Sequence, residues 1–165
     1  GVTGVQTCAL PIYRVIYLDV IECTLPLRRV ATRTSDPFHT TALGRAIASR
    51  LPAERRARLL ARAKLERRTA ATIADRRRLV AEIEKAARQG FAIEESETDL
   101  GVACIGAPVC VGNEVVGAVS VSLPTPRLDA AGRRRLVALV QKTAKTISNR
   151  IVSSSSRSST RKESR

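Results

Sequence analysis

Residues 102–123 read VACIGAPVCVGNEVVGAVSVSL, and this stretch decides the fold class. Val102 to Val109 and Val115 to Leu123 are apolar runs rich in β-branched residues, which predicts two strands. Gly112-Asn113 between them is typical of a tight hairpin turn. Strands joined by so short a turn are antiparallel, because parallel neighbours need a long crossover connection. The stretch therefore disfavours a doubly wound parallel sheet.

The chain changes its hydrophobic period at Gly90. After this glycine, Phe91 and Ile93 alternate with polar residues, which predicts a third strand beside the hairpin. Before it, apolar residues such as Leu79 and Ile83 recur at helical spacing. The other elements predicted upstream are strands at Tyr13 to Leu18 and Thr24 to Val30, a chain break at Asp36-Pro37, and helices from His39 to Leu51, from Pro52, and from an Asp75 cap to Gly90.

A last helix is predicted after the hairpin. Asp129 is a suitable N-cap for it, and its apolar side is predicted to contain Leu136, Leu139, Val140, Ala144 and Ile147. The element order is then two strands, three helices, three strands and a helix. That order indicates an α+β domain with a largely antiparallel sheet flanked by helices.

The two ends of the chain differ in composition from its middle. Residues 1–12 look like the translation of a sequencing-adapter oligonucleotide and are expected to be an artefact outside the native sequence. Residues 13–151 form the predicted domain. The Ser-rich, basic residues 152–165 are expected to be disordered.

The composition excludes several classes of protein. The chain has 165 residues and is 44% hydrophobic, which allows one domain with an aliphatic core. Aromatic residues make up 2% and Trp is absent, so an aromatic platform for single-stranded nucleic acid is excluded. No apolar run approaches the roughly 20 residues of a membrane span. The sequence therefore predicts a soluble, cytosolic protein with no membrane partner.

The cysteines give no sign of a metal or disulfide framework. Cys8, Cys23, Cys104 and Cys110 form no CxxC pair, and His39 is the single histidine. These residues are too few and too scattered for a zinc site. Buried apolar thiols are the favoured interpretation, and no metal or cofactor is predicted.

The formal net charge of +14 is unevenly distributed. Residues 28–88 contain 17 basic and 6 acidic side chains, and residues 127–165 contain 11 and 2. The intervening residues 89–126 contain five acids and no base. Two interpretations stay open: direct binding to nucleic-acid phosphate, or arginine-rich codon usage on solvated helix faces, since 24 of the 29 basic residues are Arg.

Four blocks of residues stand out when they are read together. They are HTTALGRA at 39–46, GFA at 90–92, LGVACIGAPV at 100–109, and SVS at 120–122, with Arg127 following. In this order and spacing they resemble the effector-binding domain of IclR-family transcriptional regulators. The resemblance implies a GAF-like fold over residues 13 to about 151. Family members also have an N-terminal winged helix-turn-helix, so this chain is expected to be an N-terminally truncated fragment.

Two features of the sequence suit an anionic ligand. A helix that begins near Thr41 offers unpaired backbone N–H groups and a partial positive charge, which favour a carboxylate. Ser120 and Ser122 are two apart on a strand, so their hydroxyls share a face, opposite to Val119 and Val121. On an inward face these hydroxyls would need partners, which a ligand's oxygen atoms could supply; on an outward face they would meet solvent.

The resemblance implies further site residues. Ala42 and Leu43 match positions that contact a small organic acid in the family, although Leu43 is equally suited to the core. Cys104 matches the pocket cysteine, with Val102 beside it on the same face. Glu94 matches an acidic position near the pocket and is expected to accept a hydrogen bond from a ligand hydroxyl or to be protonated. Glu95 and Glu97 are expected to form a solvated acidic edge.

The function implied by the resemblance is a ligand-sensing domain, not an enzyme. A small organic acid effector would bind between the helix near Thr41 and the sheet, and the domain would form a homodimer or tetramer. DNA would be contacted only through the absent winged helix domain. Two other classes stay open: a basic protein that binds nucleic-acid phosphate directly, and an enzyme that uses Cys104 or Cys110. For the enzyme no base is evident, since His39 is expected to orient the helix start.

Overall fold

The computed structural model describes residues 4–9, 13–22 and 35–160, with side chains over 13–21 and 35–154. Within these ranges the strands form a six-stranded sheet in the order β3-β2-β1-β6-β5-β4. Every neighbouring pair is antiparallel. The strands are β1 Gly4–Ala9, β2 Arg14–Glu22, β3 Ser35–Pro37, β4 Ala92–Glu95, β5 Val102–Val111 and β6 Glu114–Pro124.

The helices lie on both sides of this sheet, so the predicted α+β class with an antiparallel sheet flanked by helices is confirmed. They are α1 Ala42–Arg50, α2 Ala53–Arg62, α3 Arg76–Gln89 and α4 Ala130–Thr160, with 3-10 turns at Phe38–Thr40 and Thr125–Arg127. The helix α1 packs on β5 and β6 from one side, and α4 packs on the same two strands from the other.

Three of the predicted helix-end residues are confirmed: Asp75, Asp129 and Gly90. The Asp75 carboxylate accepts a hydrogen bond from the Arg78 N–H at 2.8 Å, and Asp129 accepts one from the Gly132 N–H at 2.6 Å. Gly90 closes α3 at φ +79°, a left-handed conformation that glycine adopts without strain. Pro52 is predicted to be the first residue of a helix, but it is the N-cap residue of α2 and lies just outside that helix.

The alternation along the strands divides the core into two layers. Ala103, Ile105, Val119 and Val121 pack against buried residues of α4. On the opposite side of the sheet, Ala92 and Ala118 belong to the core under α1 and α3. The side chains that share this second side with them, at alternate positions of β4, β5 and β6, include the polar residues that the sequence singled out.

Predictions about Leu139, about the helix from His39 and about Asp36-Pro37 differ from the structure. Leu139 is 47% exposed and is not part of the buried side of α4, because the helical stripe that meets the sheet runs through Leu136 and Val140. The region predicted as one helix from His39 divides into a 3-10 turn and α1, since Thr41 is extended. Asp36 and Pro37 do not break the chain; they pair with β2 as part of β3.

Both chain ends extend the fold beyond the predicted boundaries. Gly4–Ala9, within the stretch expected to be an artefact, forms β1 between β2 and β6; the origin of those residues stays a prediction. The helix α4 continues through residue 152, where disorder is expected, to Thr160. Its serines suit this continuation locally, as the Ser153 hydroxyl donates to the Asn149 carbonyl at 2.9 Å. The predicted strand Thr24–Val30 lies outside the described residues.

Candidate functional site

A pocket opens between the start of α1 and the polar side of the sheet. The space between its walls, including the part that is open to solvent, measures about 380 Å³. Of this, about 20 Å³ admits the centre of a water molecule, so the walls lie close together and a ligand of several atoms must spread them. The residues that line it are Tyr17, Asp36, Thr41, Ala42, Leu43, Glu94, Thr98, Asp99, Val102, Cys104, Ser120 and Ser122. This set includes all seven residues proposed from the sequence.

The start of α1 lies directly on β5 because Gly106 has no side chain. A Cβ on Gly106 would come within 2.9 Å of the Ala42 carbonyl carbon and 3.1 Å of the Leu43 nitrogen. The Thr41 hydroxyl caps the helix by accepting from the Gly44 N–H at 3.0 Å. The N–H groups of Ala42 and Leu43, closer to the helix start, have no acceptor within the helix. These two donors therefore stand at the edge of the pocket.

Two serines form the floor of the pocket, and their inward orientation confirms the interpretation from strand parity. Ser120 is 1% exposed and Ser122 is 3% exposed, which rules out the alternative that they face solvent. The Ser122 hydroxyl lies 3.2 Å from the Cys104 sulfur. The Ser120 hydroxyl has no hydrogen-bond partner among the described residues. Burying a hydroxyl without a partner is costly, so this group is suited to a ligand atom.

Glu94 is a buried acid on the same side of the sheet. Its Oε2 accepts a hydrogen bond from the Glu97 N–H at 3.0 Å. Its Oε1 has no partner within the described part of the chain. Burial raises the pKa of Glu94 to about 7, because desolvation penalises the carboxylate more than neighbouring hydrogen bonds stabilise it. Near neutral pH this carboxyl can therefore either donate or accept a hydrogen bond.

Five lining residues were not proposed from the sequence: Tyr17, Asp36, Thr41, Thr98 and Asp99. The Tyr17 hydroxyl donates to Asp36 at 2.8 Å, which joins β2 to β3. The Thr98 hydroxyl donates to the Thr40 carbonyl at 2.7 Å and joins the loop after β4 to the turn before α1. These residues come from separate segments without a shared spacing, so periodicity offered no signal for them.

The charge of the pocket is unusual for an anion site. Three of its lining residues, Asp36, Glu94 and Asp99, are acids, and no lysine, arginine or histidine is among the described lining residues. The nearby guanidinium of Arg68 forms an ion pair with Asp36 at 2.6 Å. The N-terminal end of α1 therefore supplies the positive potential for a ligand carboxylate. The acids suit ligand hydroxyls that donate hydrogen bonds.

A buried ion pair holds the loop behind Glu94 in place. Arg45 on α1 is 2% exposed, and its guanidinium makes a bidentate contact with the Glu97 carboxylate. Glu97 also accepts from the Ile73 N–H at 3.1 Å, and its carbonyl accepts from the Thr72 hydroxyl at 2.7 Å. The prediction that Glu97 belongs to a solvated acidic edge is therefore wrong: Arg45, 52 positions away in the chain, buries it.

Glu95 agrees better than Glu97 with the prediction of a solvated acidic edge, because its side chain is partly exposed. Its side chain is 40% exposed and forms an ion pair with Arg133 of α4 at 2.6 Å. Glu95 and Glu94 are neighbours on β4 and point to opposite sides of the sheet.

His39, Cys104 and Cys110, the histidine and cysteines whose side chains are described, do not form a nucleophilic centre. A His39 ring nitrogen lies 3.0 Å from the Glu66 carbonyl, and burial lowers the His39 pKa. Burial raises the pKa of the Cys104 thiol well above its ordinary value, which keeps it protonated. Partial burial also raises the pKa of Cys110.

No cluster of three or more potential metal ligands occurs among the described residues. None of the described helices is long and apolar enough to cross a membrane.

Comparison with known proteins gives a consistent result. A family model described as "Bacterial transcriptional regulator IclR C-terminal" matches residues 4–149. The HTH-type transcriptional regulator KdgR of Dickeya chrysanthemi is 26% identical over 141 residues, which are 83% of this chain and 46% of the relative. The HTH-type transcriptional repressor AllR of Klebsiella pneumoniae is 34% identical over 130 residues, 77% of this chain and 47% of the relative. The chain therefore spans about half the length of these curated relatives.

Solved structures share the fold. The crystal structure of the Thermotoga maritima IclR has a TM-score of 0.84 at 24% identity, over 90% of this chain and 61% of that one. The inducer-binding domain of the Acinetobacter PobR transcription factor, a double mutant in complex with 3-hydroxybenzoic acid, has a TM-score of 0.78 at 20% identity, over 88% and 87% of the two chains. At such low identity these structures bear on the fold alone.

Proposed function

Because the chain belongs to the family of IclR C-terminal domains of bacterial transcriptional regulators, we propose that its pocket binds a small organic acid as the effector. One observation carries the proposal. The N–H groups at the start of α1, the unpartnered hydroxyl of Ser120 and the unpartnered Oε1 of Glu94 all border one pocket among the described residues. Polar groups buried in this way are stabilised when a ligand completes their hydrogen bonds.

The proposed binding mode follows from the positions of these groups. The ligand carboxylate accepts hydrogen bonds from the N–H groups of Ala42 and Leu43, at the positive end of α1. A second oxygen of the ligand meets the hydroxyls of Ser120 and Ser122. Val102 and Leu43 supply apolar contact for the carbon skeleton.

The acids in the pocket restrict the kind of ligand. A second carboxylate placed near Asp36, Glu94 and Asp99 would meet like charge, so a dicarboxylic acid is disfavoured. A hydroxyl in the same place can donate to the Glu94 carboxylate or accept from its protonated form. The preferred effector in this proposal is therefore a monocarboxylic acid with one or more hydroxyl or carbonyl groups.

In this proposal, effector binding to the domain changes how the full-length regulator binds DNA. In this proposal the domain works as a dimer or tetramer in the cytoplasm, and a winged helix domain in the N-terminal part of the regulator reads the operator. Effector binding favours one arrangement of the subunits because it widens the narrow pocket and draws the start of α1 and the sheet into new positions. No cofactor takes part.

Isothermal titration calorimetry on the whole 165-residue chain tests the pocket. The panel contains hydroxybenzoates, keto acids and hydroxy acids, each paired with its amide. We expect at least one acid to bind and its amide to bind about tenfold more weakly, since the amide lacks the charge that the start of α1 attracts. Ser120→Ala should weaken binding of that acid by about five- to tenfold, the effect of one hydrogen bond.

Ser154→Ala is the matched control, because Ser154 is an exposed serine on α4 that is remote from the pocket lining. It should leave the affinity unchanged. The proposal fails if no acid in the panel binds, or if an acid binds equally well to the Ser120→Ala protein.

A further inference from the structure

A dense group of cations lies on the outside of α2, the linker after it and the start of α3. Residues 53–78 contain ten basic and three acidic side chains. Arg68 among them pairs with Asp36. The other exposed members define what we name the basic surface: Arg55, Arg58, Arg62, Lys64, Arg67, Arg76, Arg77 and Arg78.

The start of α3 lies beside the end of α2, which brings these residues together in space. The Arg76 guanidinium donates to the Ala63 carbonyl at 3.2 Å, which holds the first turn of α3 against the end of α2. Leu60 of α2 and Leu79 of α3 belong to the same core cluster, so the exposed sides of both helices face away from it. The linker between the helices is folded, since the Thr69 N–H donates to the Thr72 hydroxyl at 2.9 Å.

Ion pairing within the fold does not account for this charge. Arg58 and Glu54 pair at 3.3 Å, but both side chains are mostly exposed, and such pairs contribute little to stability. Arg55, Arg62 and Arg77 have no carboxylate partner among the residues that the structure describes.

The placement of the arginines is also unfavourable for the helix itself. Arg76, Arg77 and Arg78 occupy the first turn of α3, which contains no acid. Positive charge at a helix N-terminus is opposed by the helix dipole, and Asp75 at the cap offsets only part of it. Local helix stability therefore does not explain three arginines at this position.

We propose that the basic surface binds the phosphate backbone of duplex DNA without sequence preference. Arginine guanidinium groups match phosphate oxygens in a bidentate geometry, and a group of them where the start of α3 meets the end of α2 complements a polyanion. The chain belongs to a family of DNA-binding regulators, so DNA is near the domain when the regulator is bound. This surface adds affinity along the duplex, while sequence recognition stays with the DNA-reading domain.

The test compares two triple variants from which the same charge is removed. Arg55→Gln, Arg62→Gln and Arg77→Gln together remove three cations from the basic surface. Lys142→Gln, Lys145→Gln and Arg150→Gln remove three exposed cations from α4. Circular dichroism first establishes that both variants melt like the parent. Binding of the whole chain to a fluorescent duplex of arbitrary sequence, about two helical turns long, is then measured by anisotropy over a series of salt concentrations.

We expect the parent chain to bind at about 50 mM salt, and the basic-surface variant to bind about tenfold more weakly. The slope of log K against log salt should become shallower by about 0.9 for each phosphate that the variant no longer neutralises. The α4 variant should stay within about twofold of the parent. The proposal is overturned if the parent does not bind, if the affinities of the two variants fall equally, or if neither falls.

A membrane of anionic lipid is the alternative polyanion that the basic surface could bind. Binding to vesicles of phosphatidylglycerol, measured beside binding to the duplex, distinguishes the two partners. If the parent binds these vesicles more tightly than the duplex at the same salt concentration, and the basic-surface variant no longer does so, the partner is a membrane and not DNA.

Discussion

The two sides of the sheet use the same strands for opposite purposes. On the α4 side, Val119, Val121 and Leu123 of β6 form a continuous aliphatic layer. On the α1 side, Ser120 and Ser122 of the same strand lie buried beside Glu94 and Cys104. The aliphatic side chains on the α4 side pack against one another and need no polar partner. On the α1 side, the Ser120 hydroxyl and Glu94 Oε1 are buried without a hydrogen-bond partner among the described residues. The difference shows that the α1 side, which has a hydrophobic core of its own, also contains buried polar groups that a ligand could satisfy.

The ion pairs on the two sides offer the strongest contrast. Glu97→Ala removes the buried partner of Arg45, and we expect the free energy of unfolding to fall by about 3–5 kcal/mol, since a buried charge is left without compensation. Glu95→Ala removes the half-exposed partner of Arg133 on the α4 side, and the expected decrease is about 0–1 kcal/mol. Urea denaturation of both variants measures the difference; equal decreases would show that the Arg45–Glu97 pair is no more important to the fold than a surface pair.

The second largest expected effect is a pH dependence of the free energy of unfolding, caused by Glu94 on the α1 side of the sheet. The folded pKa of Glu94, about 7, is raised above the ordinary value of 4.5. The folded state therefore binds more protons than the unfolded state between these values, and stability falls as pH rises from about 5 to 7. The decrease attributable to Glu94 should be of order 3 kcal/mol. Glu94→Gln should remove this part of the profile in denaturation curves at about pH 5, 6, 7 and 8, and an unchanged profile would contradict the buried acid.

The smallest expected effect is the difference in the free energy of unfolding between substitutions of two adjacent residues of β6. Ser120→Ala deletes a buried hydroxyl without a described partner, so we expect the free energy of unfolding to stay the same or to rise by about 1 kcal/mol. Val121→Ala, one residue on and facing α4, should lower it by about 1–2 kcal/mol because packing is weakened. Thermal melting distinguishes the two variants. A decrease from Ser120→Ala as large as that from Val121→Ala would mean that this hydroxyl stabilises the fold without any ligand.

Features of the fold that depend on adjacent residues follow from local rules. The turn at Gly112-Asn113, the cap at Asp75 and the left-handed end at Gly90 depend on a few adjacent residues. The inward orientation of Ser120 and Ser122 depends only on the two-residue repeat of a strand.

The predictions that the structure contradicts concern residues whose surroundings are formed by segments distant in the chain. The acidic segment around Glu97 predicts a surface position, but Arg45, far away in the chain, buries this carboxylate. Leu139 fits a helical stripe in sequence, but the sheet covers the neighbouring stripe of α4. Tyr17 and Asp36 reach the pocket because β2 and β3 pair at the sheet edge, and no local spacing records that pairing.

The sequence by itself determined the hairpin of β5 and β6, the helix-end residues Asp75, Gly90 and Asp129, and which side of β6 is polar. These properties follow from backbone conformation and the repeat of side chains, which adjacent residues fix. Only the tertiary structure decided that the start of α1 rests on Gly106, that Arg45 buries Glu97, and that Glu94 loses enough water to titrate near neutrality. Desolvation and close approach depend on segments that are distant in sequence, so they exist only once the chain has folded.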